Sequence, residues 1–144
     1  MAEAILNRIG AQRFRAFSAG SHPSGRVNPL ALEQLKIRGY ATDSLASTSW
    51  SDFASIDAPP LRLVICVCGK VTNERHPAWP GEPVKVYWNL RSPNTVQGSD
   101  AEVRAAFSSV CAQLEAAMDA LVALNFDLLD VDAVAARLEH IGPC

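Results

Sequence analysis

No stretch of this chain holds the roughly eighteen consecutive apolar residues that a membrane-crossing helix needs, and no basic start leads into a short apolar segment of the secretory kind. Excess charge is absent too. The 13 Lys and Arg stand against 15 Asp and Glu, a net charge of −2, so neither nucleic acid nor a membrane surface finds an electrostatic footprint. Cysteine is scarce and unpatterned: Cys66, Cys68, Cys111 and Cys144 fit neither the disulfide framework of a small secreted protein nor the C-x2-C spacing of a zinc pair. Reduced thiols, a cytoplasmic setting and no resident metal or cofactor are the expectation. Internal repeats and low-complexity tracts are missing as well, which sets aside solenoids and linker-rich chains.

What is there is ordinary globular material. The 144 residues, 49% hydrophobic and 19% charged, suffice for one domain with a core of its own. The chain opens on "MAEAILNRIG", the inside of an amphipathic helix with Ile5, Leu6 and Ile9 as its apolar stripe and no capping residue before it. "RFRAFSAG" (13 to 20) alternates and predicts a strand. A helix follows, punctuated by Asn28 as N-cap, Pro29 at its first position and Gly39 just past its end.

The segment from Ala41 to Pro60 is polar, with one helical turn near "SDFAS". "LRLVICVC" (61 to 68) is an apolar strand of the sort that helices cover on both faces, and "VKVYWNL" (84 to 90) is a third strand. Ser99 and Glu102 form a capping box that starts a helix over about 100 to 124, with Val103, Phe107, Val110, Leu114, Met118 and Leu121 as its buried stripe. A last helix covers about 132 to 141. The order predicts an α/β fold with a mainly parallel sheet whose ligand end lies at the carboxyl ends of the strands.

Three blocks, "MAEAILNRIG…FRAFSAGSHPSGRVNPLALEQL", "VCGKVTNERHPAWPGEPVKVYWN" and "GSDAEVRAAF", together resemble the arsenate reductases built on the low-molecular-weight protein tyrosine phosphatase fold, over about residues 1 to 141. The resemblance implies a three-layer α/β sandwich. It also implies that a strand and a C-x5-R phosphate-binding loop, with the nucleophilic Cys and an Arg for the oxyanion, immediately precede the "AEAILN" helix. Neither residue of that loop is in this sequence, which starts just beyond it, so the expected fold lacks its first strand and carries a C-terminal helical extension over about 125 to 144.

Three further roles come across by resemblance alone. Cys68 stands at the position of the resolving thiol, His76 at that of the third cysteine, and Ser92, in Ser92-Pro93, at that of the general acid. Arsenate or phosphate, and a thioredoxin-like reductant, are the implied small-molecule and protein partners. A serine hydroxyl is a poor proton donor beside a tunable carboxylic acid, so the substitutions predict a chain that has left the family's redox chemistry.

Other readings stay beside these. Cys68 is either a surviving redox thiol or a packed strand end. Cys66, Cys68 and His76 invite a soft-metal site for which no fourth ligand is evident, with His22 as a distant candidate. Cys111 reads as core or its edge, Trp79 and Trp88 as rim or packing, Arg91 as solvated, and "SAGSHP" as a strand end. A vacant central strand position would leave ladder groups unpaired at roughly 1 to 3 kcal/mol each. It therefore predicts that the flanking strands close on each other, that a partner strand or homodimer fills the gap, or that the native polypeptide starts earlier.

Overall fold

A computed structural model describes residues 1–69 and 74–142. The chain runs α1 (Ala2–Ile9), α2 (Pro29–Ile37), β1 (Leu63–Cys68), β2 (Val84–Leu90), α3 (Asp100–Ala123) and α4 (Val131–Ile141), with short 3-10 turns at Trp50–Ala54, Pro93–Thr95 and Phe126–Leu128. α2 ends as its sequence says it should: Tyr40 N–H donates to Leu35 O (2.9 Å) and Gly39 N–H to Lys36 O (3.0 Å), with Gly39 at φ +76°. This paired closure needs a left-handed residue, which glycine supplies without a Cβ clash.

β1 and β2 pair in parallel, with Leu63 opposite Val84, Ile65 opposite Val86 and Cys66 opposite Tyr87. The register slips between Cys66 and Cys68, so that Cys68 comes opposite Leu90. Along β2 the alternation is clean: Val86, Trp88 and Leu90 are buried, while Lys85, Tyr87 and Asn89 are exposed. The buried face joins Ile5, Leu35, Leu114, Met118, Leu121 and Leu138 in one apolar cluster. α3 is the spine of that cluster and touches α1, α2 and α4. With a mean hydropathy of 1.2 over an 18-residue window, α3 is long and apolar enough to cross a bilayer. It instead turns Phe107, Cys111, Leu114, Ala117, Met118 and Leu121 into the core.

Three expectations need correction. Residues 13 to 19 form no strand; only Gly20 makes a single bridge, to Ser49. The alternation is real, but the segment finds a side chain in place of a ladder: Asn7 Nδ2 donates to Ala16 O (2.9 Å), and Asn7 Oδ1 accepts Ala16 N–H (2.8 Å). One amide thus serves Ala16 as a neighbouring peptide would. The stripe of α3 passes through Cys111, fully buried, rather than Val110, which is half-buried, because 107, 111, 114, 118 and 121 keep the 3.6-residue period better. Finally, the outer face of β1 and β2 carries no described helix; aromatic side chains from the loops stand there instead.

Candidate functional site

In a parallel α/β sheet the ligand end is where the strands finish and the next helices begin. Here β1 finishes at half-buried Cys68, opposite Leu90 of β2. Two residues on, half-buried Ser92 stands before the 3-10 turn Pro93–Thr95. Its hydroxyl makes no capping bond, whereas its carbonyl accepts from the Thr95 hydroxyl (2.8 Å) and Thr95 N–H (3.2 Å). The turn is clamped to the start of α2, since Asn28 Nδ2 donates to Asn94 Oδ1 (2.8 Å) while Asn28 Oδ1 caps Leu30 N–H (2.8 Å). Cys68, Ser92 and the N-terminus of α2 therefore gather at one end of the sheet.

His76 is held elsewhere. Its ring meets Trp50 (5.3 Å between centroids), Trp79 (5.5 Å) and Tyr87 (6.0 Å) on the outer face of the sheet. Trp79 Nε1 donates to Trp50 O (3.2 Å), and the Lys85 ammonium lies 5.5 Å from the Trp79 ring centroid. Cys66, level with Tyr87 on that face, is buried. His76 is thus packed among aromatic rings beside Tyr87 of β2.

The thiols divide by environment. Burial pushes the Cys66 thiol up, as does neighbouring Cys68, with Lys85 acting weakly the other way. Burial pushes Cys111 up too, opposed by Arg38 and reinforced by Glu115. A raised thiol is the opposite of what a nucleophile needs, because the thiolate does the chemistry. Cys144 lies outside the described residues, and so does the segment 70–73 that follows Gly69.

One concavity was missed in the sequence. A pocket of about 290 Å³ opens between residues 18–27 and 46–48, lined by Ser18, His22, Ser24, Arg26 and Thr48 among others. The bonds Gly20 N–H to Thr48 O (3.0 Å) and Trp50 N–H to Gly20 O (3.1 Å) hold its two walls together. "SAGSHP" therefore builds a wall as well as leading out of residues 13 to 19. Its signal was the crowding of Ser, Gly, His and Arg between 18 and 26. The pocket is not centred on Cys68 and Ser92, but Val27 on its rim precedes Asn28, so both regions share the start of α2.

A family profile described as low molecular weight phosphotyrosine protein phosphatase matches residues 1–130. The chain belongs to that family. Among curated proteins no sequence matches it significantly. Six residues on from Cys66 stands Thr72, from Cys68 Glu74 and from Cys111 Ala117, so none of these three thiols of the phosphatase-family chain has an arginine at that spacing. The family match also stops one residue short of α4.

Proposed function

We propose that the 144-residue chain is an arsenate-reductase-branch member of the phosphatase family that performs neither arsenate reduction nor phosphomonoester hydrolysis by itself. The observation that carries this reading is the company kept by the surviving positions. Ser92 stands where the resemblance places the acid, His76 packs among Trp50, Trp79 and Tyr87 where it places the third thiol, and burial pushes two of the three described thiols up. A phosphoryl or arsenyl transfer through cysteine needs a thiolate, donors for three equatorial oxygens and a proton for the leaving oxygen. At the strand ends Ser92 offers a hydroxyl in place of a carboxylic acid, and no described thiol has an arginine six residues on.

The finer fold reading that accompanies this is the family's three-layer sandwich, with a further strand beside β1. Among the described residues β1 pairs with β2 alone, which leaves its other edge as the place for such a strand. That edge also favours a second reading, an interaction module in which a strand from a partner or a second copy adds to β1. A concentration-independent monomer in light scattering would count against the second reading.

Turnover tests the first. The purified chain is assayed for arsenite release with a thioredoxin-like reductant and for aryl phosphate hydrolysis, alongside Cys68→Ser. Rates equal to buffer for both proteins are expected. Activity that disappears in Cys68→Ser would overturn the proposal and make Cys68 a working thiol.

A further inference from the structure

α4 is joined to the rest of the molecule differently from every other helix. α2 and α3 are tied by the ion pair of Arg38 with Glu115 (2.7 Å), the bond of Tyr40 to Glu115 (2.8 Å) and the pair of Arg104 with Glu33. α1 is tied through Asn7 to Ala16 and through Arg8 to the carbonyls of Arg38 (3.1 Å) and Gly39 (2.9 Å). Among the described residues, by contrast, and beyond the Asp130 cap, which accepts Ala133 N–H at Oδ1 (2.8 Å) and Val134 N–H at its carbonyl (2.9 Å), residues 131–141 make one polar link: Trp88 Nε1 donates to Leu138 O (2.8 Å). The rest of the attachment is apolar, through buried Val134 and Leu138 with half-buried Ala135 and Ile141.

The connector has a fixed end and a loose end. Arg13 donates to Val122 O and Leu124 O (2.9 Å each), and Phe14 meets Phe126 edge-on at 5.7 Å, which pins the chain as far as residue 126. Beyond it, Leu129 keeps a half-buried contact with the core, whereas Leu128 is 79% exposed and Val131 65% exposed. The pivot therefore lies within residues 127–130, between a pinned aromatic and the Asp130 cap of α4. The family profile ends at residue 130, at this same joint.

We propose that α4 is a releasable strap, a local unit that swings away about residues 127–130 and uncovers the core face of β2 at Trp88 while α1, α2 and α3 stay folded. Elements held by few polar ties and a short apolar stripe open at lower free energy than the core they cover. Trp88 is both latch and sensor, being 1% exposed when the strap is docked and donating its indole N–H to Leu138 O. Gly142 makes the latch adjustable: its φ of −60° suits any residue, yet a Cβ there would collide with Cδ1 and Nε1 of the Trp88 indole.

Hydrogen exchange read by mass spectrometry on the full chain tests this. In the wild-type protein the amides of α4 are expected to exchange through openings at least about tenfold more frequent than those of Phe107–Leu121 in α3. Gly142→Ala is expected to raise exchange in α4 and at residues 88–90 about a further tenfold, leaving the centre of α3 unchanged. Equal protection of α4 and α3 in the wild-type chain would overturn the proposal. So would a Gly142→Ala variant in which both helices accelerate by the same factor, since that is global unfolding. Should the variant fail to fold, the wild-type comparison alone decides.

Discussion

Replacing Asn7 by alanine removes both bonds by which Ala16 is held against α1, while the bond from the Ser18 hydroxyl to Glu3 stays. The carboxamide accepts Ala16 N–H at 2.8 Å and donates to Ala16 O at 2.9 Å, in a half-buried setting. Each bond is worth about 1 kcal/mol net, and because Ala16 lies close enough to the surface for water to replace part of what is lost, a total near 2 kcal/mol is expected. For a chain of this size that is roughly 4 to 8 °C in Tm. Urea unfolding of Asn7→Ala and Asn7→Asp separates bonding from packing. The aspartate keeps an acceptor for Ala16 N–H but turns a second carboxylate oxygen toward Ala16 O, so at neutral pH it should destabilise at least as much as alanine. As pH falls through the carboxylate range its protonated form becomes a donor to Ala16 O, and stability should return. An Asn7→Ala chain within about 0.5 kcal/mol of wild type, or an Asn7→Asp chain indifferent to pH, would refute the view that this amide stands in for a strand.

Three other outcomes follow from single contacts. Burial and the bond to Glu115 push the Tyr40 phenol up to about 12, above its ordinary 10, so the neutral form is favoured by folding. Its contribution, on the order of 1 kcal/mol given partial exposure, should be intact below pH 10, fall away between 10 and about 12, and be missing from Tyr40→Phe in pH-resolved unfolding. Ser99→Ala should cost about 1 kcal/mol by opening the capping box, since it removes the hydroxyl that accepts from Glu102 N–H (3.4 Å) and donates to the Glu102 carboxylate (2.8 Å). Hydrogen bonds from Ser99 also hold the Glu102 carboxyl below its usual range, so the box's contribution is lost as pH falls through that lowered value. In alkylation followed by peptide mapping, Cys68 should label before Cys66 and Cys111; equal rates at Cys111 would contradict its full burial.

Local punctuation was legible and long-range pairing was not. Asn28, Pro29 and Gly39 mark α2 because each acts on its own neighbours, and Ser99 with Glu102 marks α3 for the same reason. The alternation at 13 to 20 was equally clear, yet a strand exists only when a ladder partner is present. Asn7 took the bonding groups of Ala16 instead. The apolar run of β1 implied helices on both faces, because a buried strand reads the same whatever covers it. On the outer face the cover is Trp50, His76 and Trp79, brought together from separate loops, and nothing in the spacing of those residues announced the meeting. The strand-end placement of Cys68 and Ser92 followed from the parallel order of β1 and β2. The pocket beside residues 18–27 did not, because its second wall comes from 46–48 through the Gly20–Ser49 bridge.

The most direct test of the central claim is a trap for a covalent intermediate. The purified chain is mixed with an aryl phosphate, quenched in acid and weighed intact by mass spectrometry, with peptide mapping of Cys66, Cys68 and Cys111. The account predicts the unmodified mass at every time point, and a phosphoryl group on any of these cysteines would contradict it.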